Sequence, residues 1–331
     1  MKGALKRKVD SGMKKILIYK SKIEGKPRWL DFPTVLQFDT CRKCNLACVY
    51  CNPQNAVGYD VEDQDIYMDF NLIMKILKEA GDRRMGLSWD SIRPFMNGEP
   101  LLEHRLPIIT QMIKDMTNGK VCIYTNGSIF QKRDLLRDSN IDEVRFTISA
   151  CTRETYEAVH GRDRFKDAVN TLLWFKENKH NNQRVFVNFV MCQENKHEYA
   201  HWLEMMKGFE VVPLPLHYSE GQGQSIKNGL DTFAIMDDAE IVKAHKNKSG
   251  LSQERPCNCW HSIAIMTDGT VPLCVDLPRT SSIGNVRAET IKTIWGRKMA
   301  MGLNNKYCNS CNYRAPNWRA ISRKYGLGSN V

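Results

Sequence analysis

The sequence has no apolar run approaching the roughly 18 to 20 residues that a membrane-spanning helix needs. Its N-terminal stretch is basic, but the only apolar run there, Ile16 to Tyr19, is too short for the h-region of a secretory signal. A cytoplasmic protein without a membrane partner is therefore the expectation. Internal repeats and long low-complexity tracts are also missing, which excludes solenoid and linker-like architectures. The Gly-containing stretch Gly221 to Gln224 does not fit a phosphate-loop spacing. Beyond the N-terminus there is little net charge. The chain carries +11 overall, yet residues 1–28 hold ten Lys/Arg and two acids, so only +3 is spread over the rest. A basic arm of this kind can touch an acidic partner, but a solvated, partly disordered leader is the preferred reading, and a nucleic-acid partner is not expected.

What the chain has in excess is cysteine. Twelve occur in 331 residues, and disulfides are rare in reducing compartments. They are clustered: four lie between Cys41 and Cys51 and five between Cys257 and Cys311. Clustered thiols in such a setting read as metal ligands. Cys122, Cys151 and Cys192 stand apart and fit small buried apolar side chains.

Between the clusters, six short runs rich in apolar and β-branched residues begin at Thr34, Ile92, Lys120, Glu143, Arg184 and Val211. Continuous apolar runs suit buried parallel strands. Helix-patterned segments lie between several of them, starting at Phe70, Arg105 and Phe165. Strand alternating with helix predicts a right-handed parallel α/β array. Six repeats are fewer than the eight of a closed barrel, so the expected fold is α/β, a partial (β/α)6 TIM-like barrel, with chemistry at the C-terminal strand ends. The expected organisation is a basic leader over residues 1–33, the barrel over 34–220, a linker over 221–256, a small cysteine-rich module over 257–313 and a tail over 314–331. In the module, Asp268–Gly269 reads as a hairpin turn between two apolar strands. Its apolar content is too small for a core of its own, so a bound metal is expected to hold it together.

Cys44, Cys48 and Cys51 form C-x-x-x-C-x-x-C directly after the first expected strand. Three thiolates in one short loop can ligate three irons of a cubane and leave the fourth open to an exogenous ligand; a zinc site is the alternative. This spacing, with Tyr50 just before the last cysteine, resembles the radical S-adenosylmethionine (SAM) enzymes. The resemblance implies that Cys41, although near enough in sequence, is not a ligand. It also implies SAM contacts at successive strand ends. Gly98, Glu99 and Pro100 lie in the segment after the second strand, with Asn97 where the family usually has glycine. Thr125 and Asn126 end the third strand. Thr147 and Ser149 follow the fourth, at positions where the family carries Ser and Asp.

The C-terminal cysteines resemble the family's SPASM extension, which implies one auxiliary [4Fe–4S] cluster held by Cys259, Cys274, Cys308 and Cys311. Cys257 competes with Cys259, and by spacing alone a zinc ribbon is the default. The implied cofactors are thus the SAM-binding [4Fe–4S] cluster, one auxiliary cluster and SAM itself, with a reductant such as flavodoxin or ferredoxin as partner. The implied activity is reductive cleavage of SAM and abstraction of hydrogen from a peptide or a carbohydrate-like small molecule, ending in oxidation, epimerisation or crosslinking. Epimerisation needs a hydrogen donor, and Cys151 is the candidate thiol. The 33 residues before Thr34 are too few for a separate leader-binding domain, which favours a small molecule or a peptide gripped by the barrel alone. Two other classes remain open: an iron–sulfur electron carrier or sensor, which cleaves no SAM, and a nucleic-acid modifier recruited by the basic leader.

Overall fold

The computed structural model describes residues 32–51, 57–58, 66–81, 91–192, 194–215, 261–275 and 281–301. The leader, the linker, the tail, and Cys257, Cys259, Cys308 and Cys311 lie outside the described residues. The barrel strands are β1 (Val35–Phe38), β4 (Ser91–Arg93), β5 (Cys122–Thr125), β6 (Glu143–Thr147), β7 (Arg184–Met191) and β8 (Glu210–Pro215). Two short strands, β2 (Lys43–Cys44) and β3 (Val57–Gly58), pair with each other inside the first crossover. β1 pairs in parallel with β4, and β5 through β8 form a parallel four-stranded sheet in chain order. A single parallel bridge between Ile92 and Val121 joins the two sheets. The six expected strands are all present, in the expected order and direction.

Helices cover one face. α1 (Phe70–Gly81) buries Leu72, Ile73, Ile76, Leu77 and Ala80, one helical stripe, and Asp69 caps its start by accepting from the Leu72 N–H at 2.9 Å. α2 (Leu106–Met116) and α5 (Phe165–Asn178) repeat the pattern. Three shorter helices are α3 (Asp134–Asp138), α4 (Arg153–His160) and α6 (Tyr199–Met205). The strand residues facing these helices, among them Ile92, Ile123, Phe146 and Phe189, are fully buried. Each such side chain contributes about 1.5–3 kcal/mol of burial.

The cysteine-rich module departs from expectation. Its first strand, β9 (Ser262–Ile265), pairs in parallel with β1 from Val35↔Ser262 to Phe38↔Ile265, so it extends the barrel sheet. The Asp268–Gly269 turn forms, with Gly269 at φ +90°. The strand after it, β10 (Thr270–Pro272), pairs with β11 (Ser282–Asn285), while the turn itself is closed by bonds from the Gly269 N–H to Met266 O and from the Met266 N–H to Thr270 O, both 2.8 Å. The expected want of a core is met by sharing: Ile263, Val271, Ile294 and Trp295 join the same apolar cluster as the barrel. α7 (Ile291–Met301) adds the buried Lys298, whose Nζ donates to Ser262 O at 2.8 Å. Among the described residues no helix is long and apolar enough to cross a membrane.

Candidate functional site

The C-terminal ends of β1, β4 and β5 are drawn together by two buried carboxylates. Asp39, just past β1, accepts from the N–H groups of Met96 (3.2 Å) and Asn97 (3.3 Å) and from Asn97 Nδ2 (3.0 Å). The Asn at position 97, unusual against the resembled family, thus has a structural use. Burial outweighs these bonds and pushes the Asp39 carboxyl up to about 6. Gly98 comes next. A Cβ there would lie 2.0 Å from Cys41 O, so only glycine lets the loop lie on the backbone entering the cysteine loop. The Glu99 N–H donates to Lys43 O at 2.7 Å. The Glu99 carboxylate accepts from Leu101 N (3.0 Å), from the Thr125 hydroxyl and from Asn126 N (2.8 Å). Burial raises it to about 7. Glu99, Pro100, Thr125 and Asn126, all expected site residues, are therefore one hydrogen-bonded unit, with Pro100 opening a buried turn.

The cysteine loop is held from two sides. Asn45 donates through Nδ2 to Ser128 Oγ (2.8 Å) and accepts from Asn126 Nδ2 (3.1 Å), which fastens the loop to the end of β5. On the other side, Ala47 N–H and Val49 N–H donate to the carbonyls of His160 (3.1 Å) and Val159 (3.0 Å) at the end of α4. Gly161 closes that helix at φ +74° and lies so near Ala47 that a Cβ would meet its carbonyl oxygen at 2.5 Å. His160 itself is fully buried. Its Nε2 is 3.3 Å from the Ser149 amide, which can only donate, so Nε2 accepts and the ring proton sits on Nδ1. Nδ1 lies 3.2 Å from Cys48 Sγ and 3.4 Å from the Tyr50 hydroxyl. Burial depresses the ring to about 3, so it stays neutral.

Sequence reasoning passed over His160 and Asn45. A histidine before a helix-ending glycine carries no periodic signal, and Asn45 is one polar residue among several in a loop.

The three thiols of the motif respond to one another. Cys48 donates to Cys51, which raises Cys48 and lowers Cys51. Cys44 is pushed up to about 12 by burial and, next, by the Glu99 charge. The soft donor set and its attachment at three strand ends fit a [4Fe–4S] cluster. Cys41 is elsewhere: its thiol packs with Ile66 and Leu102, is hydrogen-bonded to Tyr67, and is raised to about 12 by burial.

Other expected residues are placed as follows. Thr147 ends β6 half-buried, in register with Asn188. Ser149 is fully buried; its Oγ accepts from Val190 N at 3.0 Å, and it is hydrogen-bonded to Tyr50. Cys151 sits at the start of α4 and not beside the thiol triad in its bonding: its N–H donates to Glu198 Oε2 (2.6 Å) and its Sγ lies 3.6 Å from Glu198 O. Burial raises this thiol to about 11. Cys274 is half-buried against the shared core.

A partial parallel barrel with a three-thiol loop after its first strand defines an iron–sulfur enzyme of the SAM-dependent kind. Residues 39–206 match the model of the radical SAM superfamily and residues 257–312 that of an iron–sulfur cluster-binding domain, the SPASM domain. The chain belongs to the radical SAM superfamily and has a SPASM domain. Membership brings a SAM-binding [4Fe–4S] cluster and auxiliary iron–sulfur binding.

Curated relatives include a probable GTP 3',8-cyclase of Methanococcus maripaludis, 31% identical over 121 residues (35% of this chain, 37% of that protein). Molybdenum cofactor biosynthesis protein moc-5 of Caenorhabditis elegans is 24% identical over 286 residues (76% of this chain, 46% of that protein). The chain thus spans about half or less of the length of these relatives. Among solved structures, SuiB of Streptococcus suis bound to its precursor peptide SuiA has a TM-score of 0.59 at 15% identity, covering 91% of this chain and 74% of that one. The protein anSMEcpe with bound AdoMet has a TM-score of 0.58 at 14% identity, covering 88% and 95%. At such identities these two share the fold.

Proposed function

We propose that the protein removes a hydrogen atom from a carbon of a substrate held in the concave side of the barrel, beneath the loop of Cys44, Cys48 and Cys51. Held by Cys44, Cys48 and Cys51, a reduced cluster with SAM bound would supply reductive cleavage of the sulfonium carbon–sulfur bond, the source of the hydrogen-abstracting 5′-deoxyadenosyl radical. The observation that carries this reading is the fastening of the three-thiol loop to the ends of β1, β4 and β5 through Asp39, Glu99 and Asn126.

The chain's own residues have separable tasks. Cys44, Cys48 and Cys51 hold the cluster. Glu99 and Asn126 set the rim where SAM's polar groups are received, and Thr147 stands at the next strand end. The barrel wall excludes water and competing hydrogen donors. In the cysteine-rich module, Cys259, Cys274, Cys308 and Cys311 are the proposed ligands of one auxiliary cluster, serving to accept or relay electrons or to hold the module folded. Cys151 is retained as a candidate hydrogen donor only for an epimerisation, since a thiol raised to about 11 keeps its hydrogen near neutral pH. The electron donor is proposed to be a flavodoxin or ferredoxin, and the location cytoplasmic.

For the substrate, a peptide or small metabolite is the first reading, in keeping with the precursor peptide bound to SuiB, which shares the fold. A nucleotide is the second, favoured by the curated cyclase relatives. Reconstituted protein, reduced anaerobically with dithionite and given SAM, should form 5′-deoxyadenosine; no product above the protein-free control rejects the proposal. Adding deuterated GTP then separates the readings: deuterium in 5′-deoxyadenosine supports the nucleotide, and its absence leaves the first reading.

A further inference from the structure

The barrel strands carry their apolar side chains toward the helices, and the alternate residues therefore turn to the concave side. In a closed barrel that side is filled with branched apolar residues. Here it carries charge. The guanidinium carbons of Arg93 and Arg145 lie 5.3 and 5.6 Å from the centroid of the Tyr124 ring, and that of Arg145 lies 4.5 Å from the Phe186 ring. Stacking fixes the plane of a guanidinium and leaves its N–H edge free for a bidentate acceptor. Arg93 uses one bond, to Ser91 Oγ at 3.3 Å, and has no carboxylate partner among the described residues. The acids nearby are already shared: Glu143 pairs with Arg145 and Arg184, and Glu210 with Arg184.

Two buried groups on the same side have no partner among the described residues. Arg145 Nε is one. The other is the carboxamide of Asn188, which is fully buried with both its oxygen and its nitrogen unpartnered. An unpartnered buried polar group costs roughly 1–3 kcal/mol, and several at one place call for a ligand or an ordered water that satisfies them. Asn188 is in register with Thr147, two residues beyond Arg145 toward the mouth. Tyr124 lies two residues before Asn126, the residue bonded to the cysteine loop. At about 3.3 Å per strand residue, the arginine layer stands about 7 Å below that loop.

We infer that Arg93 and Arg145 form the anion-binding floor of the substrate site, receiving a carboxylate or phosphate of the substrate, while Asn188 bonds a neighbouring amide or hydroxyl. This rests on the proposed hydrogen abstraction inside the barrel and names the substrate class for it. Anchored at the floor, the substrate presents a carbon further up, toward the thiol loop, and the anion excludes uncharged molecules of the same shape.

The test titrates inorganic phosphate and succinate separately into the reconstituted holoenzyme by calorimetry, for wild type, Arg93→Gln, Arg145→Gln and Arg145→Lys, with iron content and SAM affinity measured alongside. The expected result is saturable binding of at least one probe, weakened about tenfold or more by Arg93→Gln, and by Arg145→Gln more than by Arg145→Lys. The probe that binds tells phosphate from carboxylate. Arg93 is half-buried without an ion pair among the described residues, so its substitution keeps the test alive if the Arg145 variants lose iron. Absence of saturable binding overturns the inference, as does binding unchanged in Arg93→Gln or SAM affinity falling with it, which would assign the arginines to SAM. Failure of 5′-deoxyadenosine formation in the wild type strikes the proposed function, whereas these titrations judge the floor.

Discussion

His160 Nδ1 lies 3.2 Å from Cys48 Sγ, with the proton on that nitrogen because Nε2 accepts from the Ser149 amide. A thiolate bound to iron has no proton of its own, so the ring must be the donor. Hydrogen bonds to cluster sulfurs favour the more negative, reduced state and raise the reduction potential. His160→Leu should therefore shift the SAM-binding cluster to a more negative potential in an EPR-monitored redox titration. His160→Asn, which keeps a donor, should restore part of the shift. An unchanged potential in a His160→Leu protein that retains its iron contradicts the role.

Gly98 and Gly296 make opposite predictions. A Cβ at Gly98 would overlap the Cys41 carbonyl oxygen at 2.0 Å, whereas one at Gly296, on an exposed turn of α7, meets nothing within 4 Å. Gly98→Ala should destabilise by about 1–3 kcal/mol or more and lower the iron bound by the first cluster. Gly296→Ala should stabilise by about 0.5–1 kcal/mol. Denaturant unfolding of both variants measures the signs.

Asp39 gives a pH test. Its folded value, about 6, is above the ordinary 3.8. An acid raised in the folded state binds its proton more tightly there, so its contribution falls as pH rises between about 4 and 6 and is flat above. The loss amounts to about 3 kcal/mol. Asp39→Asn should remove that decline. The comparison of the two proteins isolates it from His160, whose depressed value works in the opposite direction, losing stability as pH falls from about 6.5 toward 3.

Much of this architecture was legible because local chemistry announced it. The apolar β-branched runs around Val35, Ile123, Val144 and Val187 can only be buried strands, and the spacing of Cys44, Cys48 and Cys51 needs one short loop after one of them. Pairing partners are not local. Nothing in Ser262–Ile265 states that it will lie beside β1, so the cysteine-rich module read as a separate hairpin although its first strand completes the barrel sheet. The departure at Asn97 became intelligible only once Asp39, 58 positions earlier, was seen to bond it. His160, Arg93, Arg145 and Asn188 were hidden for the same reason. Each looks like an ordinary polar residue in a helix or strand, and its meaning comes from what the fold sets opposite it.

Counting iron and 5′-deoxyadenosine in two variants of the reconstituted protein tests the assignment of the three-thiol loop most directly. Replacing Cys44, Cys48 and Cys51 together by Ala should remove about four irons and all SAM cleavage, while Cys41→Ala, whose thiol packs against Tyr67, Ile66 and Leu102, should keep both. SAM cleavage persisting in the triple variant, or lost with the iron in Cys41→Ala, would contradict it.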